Sequence, residues 1–318
     1  MEKKDLKIVF FGTPEFARES LRRITEQGYN VVGVVTMPDK PAGRGHKLLQ
    51  SPVKEFALEH NLELMQPVSL KAPEFVDKLR SLGADLFIVI AFRMLPEVVW
   101  QMPPRGTFNL HASLLPRYRG AAPINWAVIN GDTKTGVTTF FLKHEIDTGD
   151  IIDQIAVDIL PEENVGDVHD KLMELGASLT IKTIDGIING TLKPVSQDCL
   201  VKDVEPTPAP KIFKETCRIS WSQPAVKVHN LVRGLSPYPA AWTVLANGND
   251  EITVKIFDTS VEGATNVAPG TLSLQKNRMM IACGDRWLEI KQLQAAGKKR
   301  MTAAEFLRGI DLSPYTAL

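Results

Sequence analysis

The sequence predicts an α/β protein in which a helix-flanked parallel sheet is followed by a small antiparallel β-barrel. Three observations carry that prediction. Across roughly the first 190 residues, short β-branched or aromatic runs alternate with helical stretches, the pattern of a parallel α/β sheet. The run Leu86-Phe87-Ile88-Val89-Ile90 is apolar at every position, as a central strand covered on both faces must be. Beyond Trp221 short alternating runs are separated by turns containing Asn247-Gly248 and Gly284-Asp285, which suits a barrel.

Taken in order, strands are expected at 7–11, 31–36, 85–91, 107–111 and 137–142, and helices at 14–27, 52–60, 72–82, 123–130 and 165–189. The first helix opens on Thr13-Pro14-Glu15, which supplies a cap residue, a first-turn proline and an early carboxylate. Residues 38–49 contain two prolines, two glycines and the basic residues Lys40, Arg44, His46 and Lys47, without core-forming periodicity, so they read as an exposed, mobile loop. Prolines 206, 208 and 210 mark a linker. One helix near 223–234 leads into barrel strands at 253–257, 271–274, 279–282 and 287–293. The domains predicted are therefore 1–190, a linker over 191–210, and 211–318.

Hydrophobic content of 44% and charged content of 23% are ordinary for a soluble globular chain. No apolar run approaches the ~18 residues of a membrane span, and the stretch over 7–11 is too short for a signal peptide. Three widely spaced cysteines, Cys199, Cys217 and Cys283, support neither a disulfide framework nor a zinc site, and fit a reducing cytoplasm. No long apolar surface stripe demands a partner, so a monomer is expected. The formal charge is zero overall, but residues 206–318 hold 14 Lys/Arg against 9 Asp/Glu. That asymmetry admits a nucleic-acid-facing portion as well as a plain mixed-charge surface.

Several chemistries are disfavoured at once. Gly12-Thr13-Pro14-Glu15 follows the first strand without the Gly-x-Gly-x-x-Gly series, and Pro14 stands where a phosphate cradle would offer an amide. No Gly-x-x-x-x-Gly-Lys-Ser/Thr occurs, and none of the six histidines forms a His-x-x-x-His pair, so no metal site is expected. What remains is Asn109-Leu110-His111 at a strand end, read with Asp147. In an extended segment Asn109 and His111 point to one face, and ligands of open α/β sheets bind beyond the carboxyl ends of strands. An amide and an imidazole can hold a developing oxyanion, and a carboxylate can orient and tune the imidazole while an amine attacks a carbonyl. Asp147 could equally be a turn carboxylate bonding nearby backbone, because spacing does not show that it folds back to His111. The basic loop around Arg44 has two readings as well, a solvated excursion or a grip on a phosphate-rich partner.

The run Asn109-Leu110-His111-Ala112-Ser113-Leu114-Leu115-Pro116-Arg117-Tyr118-Arg119-Gly120-Ala121-Ala122-Pro123-Ile124 resembles the signature of the methionyl-tRNA formyltransferase family. The resemblance extends to Phe11-Gly12-Thr13-Pro14-Glu15-Phe16-Ala17, Pro38–Gly45, Asp147-Thr148-Gly149-Asp150 and Arg233-Gly234-Leu235-Ser236-Pro237-Tyr238-Pro239, so it covers nearly the whole chain. Asn109, His111 and Asp147 alone match the wider folate-dependent formyltransferases. The Arg44 loop, the Arg117–Ile124 segment and the added C-terminal domain narrow the match.

The resemblance implies a Rossmann-like formyltransferase domain, an OB-like barrel, and formyl transfer from 10-formyltetrahydrofolate to the α-amine of methionyl initiator tRNA. Asn109, His111 and Asp147 would be catalytic. The folate would lie against Phe87, Ile88, Val89, Ile90, Ala91 and Phe92, and against Ser113, Leu114, Leu115 and Pro116. Lys40, Arg44, Lys47, Lys211 and Arg233 would hold the tRNA. No metal is required, because attachment to N10 already activates the formyl group. Formylation of an amino sugar nucleotide or of glycinamide ribonucleotide is the competing enzyme reading, and an RNA-binding protein on an inactive scaffold is the non-enzymatic one. Two departures from the family pattern stand out. Lys143-His144-Glu145-Ile146 replaces the usual approach to Asp147, leaving a supporting role for His144 or Glu145 open. Ala240 replaces a glycine before Ala241-Trp242, which predicts an altered turn.

Overall fold

The computed structural model describes residues 2–42, 47–200 and 206–318. The chain forms two compact units, the first comprising Met1–Gly120, Gly136–Val157 and His169–Pro208, the second Ala121–Thr135, Asp158–Val168 and Ala209–Leu318. The second unit therefore draws on two segments that lie well before 190 in the chain, including the helix expected at 123–130.

In the first unit, strands β1 (Lys7–Gly12), β2 (Asn30–Val35), β3 (Leu64–Met65), β4 (Leu86–Ile90), β5 (Thr107–His111), β6 (Lys134–Phe141) and β7 (Ile151–Asp158) build one sheet. Its order is β7-β6-β5-β4-β1-β2-β3. The pairings β3-β2, β2-β1, β1-β4 and β4-β5 are parallel, whereas β6 joins β5 antiparallel. Every residue of β4 is buried, which accounts for its unbroken apolar run. One core forms around Val9, Phe11, Val35, Leu79, Phe87 and Val89, with the Phe11 and Phe87 rings 5.3 Å apart.

Helices α1 (Glu15–Glu26), α2 (Pro52–Glu59) and α3 (Pro73–Ser81) follow their expected positions. Residues in the middle of α1 that bury, Phe16, Ala17, Ser20, Leu21 and Ile24, recur at helical spacing. Ser51 caps α2 by accepting the Lys54 N–H at 3.1 Å. Within 38–49 the backbone of Lys40–Ala42 pairs antiparallel with Lys47–Leu49, so the segment expected as an irregular loop contains a short ladder. The two-residue β3 is too short to announce itself by alternation.

The second unit is built on a curled antiparallel sheet of β8 (Ala241–Asn247), β9 (Asp250–Ala264), β10 (Leu272–Gln275), β11 (Arg278–Ala282) and β12 (Arg286–Ala295), ordered β10-β11-β12-β9-β8 and then Thr316–Ala317. A bridge from Thr271 to Thr316 joins the two ends, as an OB-like barrel requires. Trp221, Val228, Leu245, Val254, Ile281, Leu288 and Leu293 fill the interior. Helix α4 (Pro123–Ile129) and the helix Ala225–Leu235 pack together in this unit, with Asn125 donating to the Gly234 carbonyl at 2.8 Å. A Cβ on Gly234 would stand 2.5 Å from Ile129 Cγ1, so the close helix approach explains the glycine of Arg233-Gly234-Leu235. Ala240 takes the left-handed conformation that a glycine would favour, with φ at 73°.

Candidate active site

Asn109 and His111 share one face at the carboxyl end of β5, as the period of an extended strand dictates. His111 is buried, and its Nε2 lies 2.8 Å from the carbonyl oxygen of Tyr118. A carbonyl only accepts, so Nε2 carries the hydrogen and the ring orientation is fixed. The other nitrogen, Nδ1, faces Asp147 Oδ2 at 3.9 Å. The structure thus brings Asp147 to His111 across the 35 intervening residues, but the two sit just beyond direct hydrogen-bond distance. Asn109 is half-buried, and its side-chain amide has no hydrogen-bond partner among the described residues.

Asp147 is itself held from two sides. Its Oδ2 accepts the Gly120 N–H at 3.0 Å, and its backbone is left-handed with φ at 56°. Gln197, at the start of the short helix Gln197–Leu200, donates to the carbonyl oxygens of Asp147 at 2.9 Å and Gly149 at 2.8 Å. His144 and Glu145 are exposed, and neither side chain bonds to Asp147.

The loop after His111 is anchored by buried polar groups. Thr138 Oγ1 donates to the Ser113 carbonyl at 2.6 Å and accepts the Leu115 N–H at 3.2 Å. Gln154 Nε2 donates to Thr138 Oγ1 at 2.8 Å and to the Leu115 carbonyl at 2.9 Å. Ser113 Oγ donates to the Arg117 carbonyl at 2.7 Å. Tyr118, whose carbonyl meets His111, is left-handed at φ 61°. Such backbone persists only where surrounding bonds over-determine it.

The folate-facing expectations divide sharply. Phe87, Ile88, Val89 and Ile90 are core residues, each at most 3% exposed, so their side chains cannot line a ligand surface. An apolar run in a central strand is consumed by sheet packing. Past the end of β4, Ala91 is exposed and left-handed at φ 46°, and Phe92 is half-buried with its ring 5.9 Å from Phe11. Ser113, Leu115 and Pro116 are buried, and Leu114 is half-buried. Arg93, which the sequence did not single out, donates from its guanidinium to the Pro67 and Val68 carbonyls, while its buried Nε has no partner. Burial lowers the guanidinium's pKa from its usual value.

Among the expected RNA contacts, Arg44 lies outside the described residues, and so do the side chains of Lys40 and Lys47. Lys211 is exposed, with its ammonium 5.7 Å from the centre of the Phe213 ring. Arg233 is 9% exposed: Nε donates to Asn230 at 2.8 Å and Nη1 to the Glu163 carbonyl at 3.0 Å. Its guanidinium braces the second unit and is not presented to a phosphate. A basic residue's sign is visible in sequence, but its burial is not.

No group of three or more His, Cys, Asp or Glu among the described residues is arranged to hold a metal, and no described helix is long and apolar enough to cross a membrane. Buried His111, flanked by half-buried Asp147 and by half-buried Asn109 with its unpartnered amide, can polarise a carbonyl and move one proton, the needs of acyl transfer to an amine.

Comparison with known proteins agrees with that chemistry. Residues 6–184 match the family model described as "Formyl transferase", and residues 211–311 match "Formyl transferase, C-terminal domain". The chain is 57% identical over 316 residues to a methionyl-tRNA formyltransferase of Bacteroides fragilis, covering 98% of each. It is 50% identical over 314 residues to the enzyme of that name from Flavobacterium johnsoniae, again covering 98% of each. Among solved structures, a sugar 3N-formyl transferase studied with dTDP and 5-N-formyl-THF superposes with a TM-score of 0.65 at 20% identity, over 92% of this chain and 99% of that one. An N-formyltransferase from Helicobacter canadensis, in complex with folinic acid and dTDP-3-aminofucose, gives 0.64 at 19% identity, over 90% and 99%. At those identities the structures establish a shared fold.

Proposed function

The chain belongs to the methionyl-tRNA formyltransferase family, and on that premise we propose that it transfers the formyl group of 10-formyltetrahydrofolate to the α-amine of methionyl initiator tRNA, for translation initiation. The observation that carries the residue assignment is the convergence of Asn109, His111 and Asp147 at the end of β5, with the Asn109 amide unpartnered.

Asn109 donates to the formyl oxygen as the amine attacks and charge gathers there. His111 works through Nδ1, because Nε2–H is committed to the Tyr118 carbonyl. Nδ1 faces the Asp147 carboxylate, which orients the ring beside the developing oxyanion. The proton lost by the amine passes through this pair to the departing N10, so one N–H is broken and one formed. Ala91, Phe92 and Leu114 offer the apolar contact for the folate ring.

The catalytic domain spans 1–190 and a linker over 191–210 leads to a tRNA-holding barrel domain at 211–318. Lys40, Arg44 and Lys47 hold the acceptor end, and Lys211 holds the backbone from the barrel side. The protein works as a cytoplasmic monomer. Incubation with 10-formyltetrahydrofolate and methionyl initiator tRNA should yield formylmethionyl-tRNA, with none on amino sugar nucleotides or glycinamide ribonucleotide. Formylation of the small amines alone would overturn this reading. Binding of tRNA should weaken steeply between low and high salt, as phosphate neutralisation requires.

A further inference from the structure

Gln197 is 1% exposed and makes four hydrogen bonds. Its Nε2 donates to the Asp147 and Gly149 carbonyls at 2.9 and 2.8 Å, and its Oε1 accepts from Arg119 Nε at 3.1 Å and Nη2 at 2.7 Å. A glutamine amide offers two donors and two lone pairs, so its capacity is fully used. The two sides it joins both bear on Asp147. One side is the main chain of Asp147 itself. The other is Arg119, whose neighbour Gly120 supplies the N–H that holds the Asp147 carboxylate at 3.0 Å.

The segment has little other freedom. A Cβ on Gly149 would fall inside the Phe141 carbonyl oxygen, so the loop lies flat against the end of β6. Asp147 in turn holds a left-handed conformation that a non-glycine residue adopts only under outside constraint. The Gln197 amide supplies that constraint. Arg119 has no carboxylate partner among the described residues, so a neutral oxygen anchors it without competing with Asp147.

We propose that Gln197 is a positioning residue for the reaction: its buried amide locks the 119–120 and 147–149 segments together and so sets the Asp147 carboxylate toward Nδ1 of His111. The proposal rests on the formyl-transfer reading above. No residue of similar size replaces the amide. Methionine keeps the volume and makes none of the four bonds, while a glutamate would turn a carboxylate oxygen toward two carbonyl oxygens.

The test uses the full chain with Gln197→Met and Gln197→Glu. It measures kcat, the KM for each substrate, thermal unfolding, and the chemical shifts of the His111 ring by NMR. Both variants should lose about 100-fold in kcat, the usual scale of a misplaced catalytic group, with both KM values within about twofold. The His111 ring signals should move in both. A folded variant with unchanged kcat and unchanged His111 ring signals overturns the proposal, and if Gln197→Met does not fold, Gln197→Glu decides. Should the wild-type chain fail to formylate methionyl-tRNA while the variants still move the His111 ring signals, the functional reading falls and the positioning role stands.

Discussion

The Nε2–H of His111 donates to the main-chain carbonyl of Tyr118 at 2.8 Å, which leaves Nδ1 as the nitrogen facing Asp147. A main-chain acceptor cannot be titrated away, so the ring stays oriented whatever the protonation of Nδ1. Nitrogen NMR of the His111 ring should therefore report hydrogen on Nε2 throughout its neutral range. A neutral ring protonated on Nδ1 would contradict this geometry.

Asn109 makes a cleaner kinetic prediction than either neighbour. Its amide bonds to nothing in the described protein, so Asn109→Ala should leave thermal stability nearly unchanged. Loss of one oxyanion donor should lower kcat by about 100- to 1,000-fold. Steady-state kinetics beside a melting curve checks both halves, and a near-normal kcat would remove Asn109 from the mechanism.

Thr138 tests the anchoring of the loop that follows His111. It is fully buried and its hydroxyl serves Ser113, Leu115 and Gln154 at once. Thr138→Val keeps the shape and strands these partners, each at about 1–3 kcal/mol if left unpaired. Urea unfolding should show a loss of at least ~2 kcal/mol, and a loss under half of that would mean the loop re-pairs.

Ala240 sets two backbone effects against each other. It is buried at φ 73°. Glycine would relieve a left-handed cost of about 1–2 kcal/mol, while surrendering about 0.8 kcal/mol of methyl burial and about 0.5–1 kcal/mol of chain entropy. Ala240→Gly should therefore change stability by less than about 1 kcal/mol. Ala240→Val should destabilise clearly, since a β-branched residue tolerates positive φ poorly. Equal stability of the Val and Gly variants would show the turn to be slack.

His229 contributes a pH dependence of stability. Burial, then the Arg233 charge, holds its imidazole below the usual histidine range, and Nδ1 lies 2.9 Å from Thr259 Oγ1. The unfolded chain takes up the proton first as pH falls, so stability is complete above the unfolded value near 6.5 and declines from there toward the folded value. Against His229→Gln, the wild-type melting temperature should lose ground between pH 7.5 and 5 by about a degree or more. Parallel curves would refute the assignment.

The sequence alone determined the element pattern and half of the site. The period of two places Asn109 and His111 on one face, and β5 falls where the strand was read, because local patterning encodes local geometry. The resemblance did not state which of the side chains it named would be buried. The run Phe87–Ile90 serves the core and Arg233 serves as an internal brace, because neither apolarity nor charge states what a side chain will touch. Gln197 carried no signal at all, lying in a polar stretch before the prolines. Only the tertiary structure could bring Asp147 to His111, commit Nε2 to Tyr118, and close one buried amide over Arg119, Asp147 and Gly149. Those relationships join residues far apart in the chain, and their distances are fixed by how sheet and loops pack.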